Sequence, residues 1–278
     1  MKNNERFGGA WTIEKLDIIY KYLNFYTTAL KNKKFIKYYV DGFAGEGTIV
    51  LSNGLEIEGS ASVALNIDNP FDRYVFIELS EEKVGKLELL KNRNKEKNVK
   101  IIKSDANHAL QSIVHNTNWK YSRGVFFIDP FATQTDWQTL ECIASSGCID
   151  VWFLFPFYAI NRMFAKDIKQ TKLWENKLNR CLGSNSWRSE IYKRKNNVQL
   201  SLFDGEQYES EFKKVDTNLI IEYVKKRLET IFPYVSPNPR IFKNEKNSIL
   251  FVLFFMTSNS DTKAISLASK GAEYILKG

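Results

Sequence analysis

Apolar residues near the start of the chain, Trp11, Leu16, Ile19, Leu23 and Tyr26, recur at three-, four- and five-residue steps. This spacing predicts an amphipathic helix from Trp11 to about Leu30, begun near Thr12. A β-rich run, Phe35 to Val40, then leads straight into Asp41-Gly42-Phe43-Ala44-Gly45-Glu46-Gly47, a strand followed by a glycine-dense turn. Strand-like runs return at Tyr74 to Glu78, Val99 to Lys103 and Gly124 to Asp129. Between them, Glu81 to Leu90 carries Val84, Leu87 and Leu90 at helical spacing, and Asp105 to Val114 and Asp136 to Ala144 predict two shorter helices. A fifth strand, Ile149 to Phe155, is almost wholly apolar, as a strand covered on both faces must be. Strands alternating with helices imply parallel pairing through right-handed crossovers.

Beyond Pro156 the pattern changes. A helix is predicted from Val215 to Ile231, then Pro233, Pro237 and Pro239, then a hairpin in which Arg240 to Lys243 turns through Asn244 to Asn247 into Ser248 to Thr257. A final helix, Asp261 to Leu276, closes the chain. The expected organisation is a helical extension (1–32), a mostly parallel α/β core (33–165), an insertion (166–214), and a helix, antiparallel hairpin and helix that complete the core (215–278).

The chain has 278 residues, 44% hydrophobic, 14% aromatic and 26% charged, which excludes a disulfide-stapled miniprotein, a disordered tail and a coiled-coil rod. The longest apolar run, Ile249 to Met256, is far short of a bilayer span, and no apolar stretch follows the charges of the first six residues. A cytoplasmic protein without membrane spans is therefore expected. Lys and Arg number 40 against 32 Asp and Glu, a balance that favours an anionic partner. Most of the surplus lies in residues 166–197, where nine basic and three acidic side chains are interleaved with Trp174, Trp187 and Tyr192. Such a segment suits phosphate contacts, Arg188 among them, with the aromatic rings as stacking platforms for nucleic-acid bases. Cys142, Cys148 and Cys181 lack the spacing of a zinc or thiol redox site, and His108 and His115 are the only imidazoles, so no metal site is expected.

In an open parallel sheet, ligands bind outside the carboxyl ends of the strands. The residues there are Asp41 to Gly47, Glu78, Asp105 and Asp129 to Phe131. Gly42, Gly45 and Gly47 let the backbone turn sharply and approach a ligand. The order D-G-F-A-G-x-G is not the G-x-G-x-x-G of dinucleotide folds, and Asp41 would repel a pyrophosphate. A carboxylate in that place instead suits an ammonium group, directly or through water, and S-adenosylmethionine carries an ammonium and no phosphate. Glu78 can accept hydrogen bonds from both ribose hydroxyls. It follows Gly47 by 31 positions, an interval lengthened by an inserted loop from Leu51 to Gly59. Asp105 can accept from an exocyclic adenine amine. Asp129-Pro130-Phe131-Ala132 resembles the D-P-P-Y motif of amino-group methyltransferases, with a single proline and the aromatic one position early. In that motif the acid and the proline carbonyl accept hydrogen bonds from the target amine while the ring stacks on its base. The catalytic candidates are therefore Asp129, Pro130 and Phe131, and the cofactor-binding candidates Asp41, Gly42, Phe43, Ala44, Gly45, Gly47, Glu78 and Asp105.

The chain also resembles the three-Cys-motif partner proteins (TcmP) over nearly its whole length. The resemblance rests on Tyr39 to Gly47, on Gly59-Ser60-Ala61 leading to Ala64-Leu65, and on Phe127-Ile128-Asp129-Pro130-Phe131. It extends to Asp150 with Phe155-Pro156, to Ala159-Ile160-Asn161-Arg162, and to Thr257-Ser258-Asn259. The resemblance implies a Rossmann-like class I S-adenosylmethionine-dependent methyltransferase fold, and a partner of phage type that carries the three cysteines of the family name. It makes Asn161 and Arg162 candidates for substrate contact, alongside Trp187 and Arg188 from the basic segment. Two functions follow as expectations: methyl transfer to an amino nitrogen of DNA or RNA, or a non-catalytic cofactor-binding subunit of the three-Cys protein.

Overall fold

Helix α1 (Ala10–Ala29) opens the computed structural model, whose described residues are 9–51, 54–165, 168–195, 210–213 and 217–277. It is followed by β1 (Ile36–Asp41), the small antiparallel pair β2 (Thr48–Val50) and β3 (Glu56–Glu58), and α2 (Ser60–Leu65). Then strands and helices alternate: β4 (Arg73–Glu78), α3 (Glu81–Arg93), β5 (Val99–Lys103), α4 (Ala106–Asn116), β6 (Ser122–Ile128), α5 (Trp137–Ser145) and β7 (Ile149–Phe155). A helical stretch follows, α6 (Phe157–Met163), α7 (Ile168–Thr171), a 3-10 turn (Lys172–Trp174), α8 (Glu175–Leu182) and α9 (Trp187–Ile191), then the pair β8 (Tyr192–Lys195) and β9 (Ser210–Lys213). The chain finishes with α10 (Thr217–Glu229), β10 (Tyr234–Val235), β11 (Arg240–Lys243), β12 (Ile249–Thr257) and α11 (Thr262–Lys277).

Across the main sheet the strands run β5-β4-β1-β6-β7-β12, with β10 and β11 both pairing β12. The first five are parallel and β12 is antiparallel to β7. This is a Rossmann-like arrangement, a mostly parallel sheet with a C-terminal antiparallel hairpin. Because β4 and β5 wind away from β1 on one side and β6 and β7 on the other, the strand order reverses beside β1. A crevice opens there at the carboxyl ends of β1 and β6.

Side chains of β1 alternate between two cores. Val40 faces a layer with Phe126, Phe153, Leu110, Leu140 and Val224, whereas Tyr39 faces one with Phe127, Trp152, Tyr22, Leu87 and Ala272. Burying each of these large side chains stabilises the fold by roughly 1.5–3 kcal/mol. Helices α1 and α11 meet closely at Gly271, where a Cβ would lie 2.2 Å from the Phe25 ring, so only glycine allows that approach.

Three expectations change. The inserted loop from Leu51 to Gly59 is part of the β2–β3 hairpin. Helix α3 continues to Arg93, its last turn completed by Lys91 and Arg93 against the helix dipole. The basic segment packs into the first core through Leu178, Leu182, Trp187, Ile191 and Tyr192. Among the described residues no helix is long and apolar enough to cross a membrane, and no cluster of His, Cys, Asp and Glu is placed to hold a metal ion.

Candidate functional site

Asp41 ends β1 with its side chain wholly buried. Its Oδ1 accepts from the Phe43 amide (3.1 Å), and the Tyr39 hydroxyl approaches Oδ2 (3.4 Å). Burial pushes the Asp41 carboxyl up to about 7. The Ser60 and Phe43 donors work against that rise, Asp129 adds to it, and Lys15 opposes it. The turn after Asp41 is stitched to both neighbouring strands: the Gly42 amide donates to the Phe127 carbonyl (2.9 Å) and the Ala44 amide to the Ile77 carbonyl (2.9 Å). It therefore lies across the mouth of the crevice.

Gly45 and Gly47 adopt left-handed backbone (φ +64° and +83°), which a side chain would strain. A Cβ at Gly45 would meet nothing within 4 Å, so this bend faces open space. At its far end the loop is closed by the Gly59 amide and the Ser62 hydroxyl, both donating to the Gly47 carbonyl (2.8 and 2.6 Å).

Glu78 terminates β4 and is partnered by backbone. Its Oε1 accepts from the amides of Leu79 and Ser80 (both 2.8 Å), and its Oε2 accepts from the Gly45 amide (3.1 Å). The carboxylate thus braces the glycine turn, with lone pairs left for a further donor. Asp105 is exposed and caps α4 by accepting from the His108 amide (3.1 Å).

Asp129 follows β6, next to the Asp41 turn. Its Oδ2 is held at 2.5 Å by the ammonium of Lys15, which is only 4% exposed. Lys15 comes from α1 and lies against the rings of Trp11 and Phe127 (5.4 and 5.9 Å to the centroids). The Asp129 side chain keeps 24% of its exposure. Pro130 is buried, Phe131 is exposed, and Ala132 takes a left-handed conformation (φ +54°). Pro130 and Ala132 share a small hollow with Phe155, Pro156 and Ile160, so the start of α6 borders the Asp129 loop.

The sequence reading missed Lys15. A signal was present: lysine stands on the buried stripe Lys15, Ile19, Tyr22, Tyr26, where a solvated cation does not belong.

Asn161 and Arg162 lie on α6, with the Arg162 guanidinium over the Tyr158 ring (5.7 Å). Trp187 is not a stacking platform. It is fully buried, its indole N–H donates to Asn179 Oδ1 (2.8 Å), and it packs against Phe164 and Tyr192. Tyr192 is buried likewise, its hydroxyl shared between Thr171 Oγ1 (2.7 Å) and the Ala165 carbonyl (2.9 Å). Large aromatic area gains more from the core than from the surface, and composition does not reveal which ring goes in. Arg188 covers the Trp187 ring and pairs with Glu175, so its charge is neutralised within the segment.

No family model and no curated protein matches the chain. Solved structures do. Protein LPL1258 of Legionella pneumophila is 12% identical, covering 94% of this chain and 92% of that one, with a TM-score of 0.48. The N-terminal domain of EvdMO1 with SAH bound is 10% identical over 86% of this chain and 80% of that one (TM-score 0.41). Spermidine synthase from Thermotoga maritima is 10% identical over 91% of this chain and 61% of that one (TM-score 0.42).

Proposed function

We propose that this chain is an S-adenosylmethionine-dependent methyltransferase acting on an amino nitrogen of a nucleic acid, and a member of the three-Cys-motif partner family. The observation that carries the reading is Asp129. It stands at the reversal point of the sheet beside the glycine turn, one oxygen fixed by a buried cation and the side chain still partly open to solvent.

The residues around the crevice fit the cofactor. Asp41 is a buried carboxylate of raised pKa, an environment that a cationic ammonium would relieve. The turn at Gly45 is open where a side chain would otherwise stand, Glu78 keeps acceptor capacity for ribose hydroxyls, and Asp105 for an exocyclic amine. When bound, S-adenosylmethionine supplies an electrophilic methyl group. The protein's own part is alignment. Asp129 Oδ1 accepts an N–H of the acceptor amine and so directs its lone pair. Lys15 keeps the carboxylate from rotating, and the exposed Phe131 ring covers the acceptor's flat face.

The test is calorimetric titration with S-adenosylmethionine and S-adenosylhomocysteine, with NADH as the control ligand, followed by a tritiated-methyl screen of DNA and RNA. Saturable binding is expected, lost in Glu78→Ala. Transfer should vanish in Asp129→Ala while cofactor binding survives, and unchanged turnover in that variant would overturn the role of Asp129.

One observation favours a second reading, a cofactor-binding but non-catalytic subunit of a three-Cys-motif protein. Lys15 already occupies Asp129 Oδ2, leaving the motif half the acceptor capacity it would otherwise have. A stoichiometric complex with that partner, with no methylation of any nucleic acid by either component, would support it.

A further inference from the structure

Of the three rings that interleave the basic segment, packing leaves one at the surface. Trp187 and Tyr192 are interior, whereas Trp174 is 44% exposed at the end of the 3-10 turn, beside the almost wholly exposed Leu173. Lys172 and Lys177 flank this pair, and among the described residues neither has a carboxylate within ion-pair distance. Two further cations of the segment are neutralised, Arg180 by Asp136 (2.9 Å) and Arg188 by Glu175. Leu173 and Trp174 thus form an exposed apolar surface flanked by two lysines that have no carboxylate partner among the described residues.

The turn is held firmly. The Thr171 hydroxyl accepts from the Ala165 amide (3.0 Å) and bonds the Tyr192 hydroxyl, while Leu178 and Leu182 anchor α8 in the core. Helix α8 is also fastened to the loop that carries the D-P-F motif, by Arg180 to Asp136 and by the Cys181 thiol donating to the Thr133 carbonyl (3.5 Å). Trp174 precedes Arg180 by six positions, roughly 9 Å along the helix. The exposed indole is therefore tethered through α8 to the element that is fastened to the acceptor loop.

Flat exposed apolar faces and regularly spaced negative charge together match one class of polymer. Single-stranded nucleic acid offers bases to stack on an indole and phosphates to lysines, whereas a duplex hides those faces in its own stack. An acidic polypeptide satisfies the lysines and leaves the indole without a planar partner. We propose that Trp174, flanked by Lys172 and Lys177, is the stacking platform that holds single-stranded nucleic acid next to the nucleotide presented at Asp129. This rests on the nucleic-acid reading of the acceptor.

The experiment is fluorescence anisotropy of labelled oligo(dT), oligo(U) and a duplex of mixed sequence against the full chain. S-adenosylhomocysteine titration and circular dichroism of every protein confirm that each variant folds. Both single strands should bind more tightly than the duplex. Trp174→Ala should weaken single-strand binding by about 5- to 150-fold, and Trp174→Phe should recover most of it. The combined Lys172→Gln, Lys177→Gln variant should lower the slope of log affinity against log salt by about 1.4. Unchanged affinity in Trp174→Ala, equal binding of the duplex, or binding of polyglutamate but of neither oligonucleotide would overturn the proposal. If S-adenosylhomocysteine fails to bind while Trp174 still governs oligonucleotide binding, it is the methyltransferase reading that falls.

Discussion

Helix α1 reaches two acidic residues at opposite edges of the sheet, with side chains seven positions, about 10 Å, apart. At the carboxyl edge Lys15 meets Asp129, and at the amino edge the Tyr22 hydroxyl donates to Asp150 Oδ2 (2.7 Å). On the helix side the second contact is sealed. Tyr22 is completely buried among Trp152, Phe255 and Tyr26, and burial pushes its hydroxyl well above its usual range. Burial also lifts the Asp150 carboxyl to about 6, against the Thr257 and Tyr22 hydrogen bonds that favour ionisation. The first contact joins two full charges and stays partly open to solvent. One helix thus uses a neutral donor at the amino edge of the sheet and a cation at the carboxyl edge, beside the crevice. The contact through Tyr22 fastens the helix to the core, and the one through Lys15 holds a carboxylate that keeps 24% of its side-chain exposure beside the crevice.

The sharpest way to break this comparison is Asp129→Asn, which strands the Lys15 ammonium in an apolar setting without its counter-charge. A loss of roughly 3–5 kcal/mol in urea unfolding is expected, and a change under 1 kcal/mol would mean that Lys15 reaches water by another route. Tyr22→Phe should cost about 1–3 kcal/mol, read as a lower Tm, with the difference from wild type larger above pH 6 than below. The sign follows from Asp150. Its folded-state pKa of about 6 lies above the unfolded value of 3.8, so its contribution to stability falls as pH rises through that window. Removal of the Tyr22 donor raises the folded pKa further and carries the decline to higher pH.

Cofactor affinity sharpens the contrast at the open edge. Asp41 titrates near 7, facing Lys15 and Asp129 as its charged neighbours and Ser60 and the Phe43 amide as its donors. A bound ammonium favours the ionised form, so S-adenosylhomocysteine should release a proton on binding below pH 7. Affinity should then fall by up to about tenfold between pH 7 and 6. Calorimetry in buffers of different ionisation enthalpy reads that proton directly, and a pH-independent affinity would detach Asp41 from the ligand. The smallest effect is expected for Lys15→Met. It fills the same space and leaves a carboxylate that can turn to water, at a cost of about 1 kcal/mol. A loss as large as that of Asp129→Asn would show that the carboxylate, too, is trapped.

The sheet and its ligand edge were legible in the chain because alternation, glycine turns and strand-end acids are local features. Asp41, Glu78 and Asp129 each stand at the end of a strand that periodicity alone marks. The fate of each aromatic ring was not legible. Trp174 and Trp187 share a segment and a chemistry, yet one is exposed and the other wholly interior, since the difference lies in what Phe164, Leu178 and Tyr192 pack against. Lys15 teaches the same lesson from the other side. By itself the sequence determined the alternating strands, the open turn and the row of carboxylates, each written within a few residues. Only the tertiary structure decided that a lysine 114 positions away neutralises half of Asp129, because a buried charge is placed by the partner that compensates it and not by its neighbours in the chain.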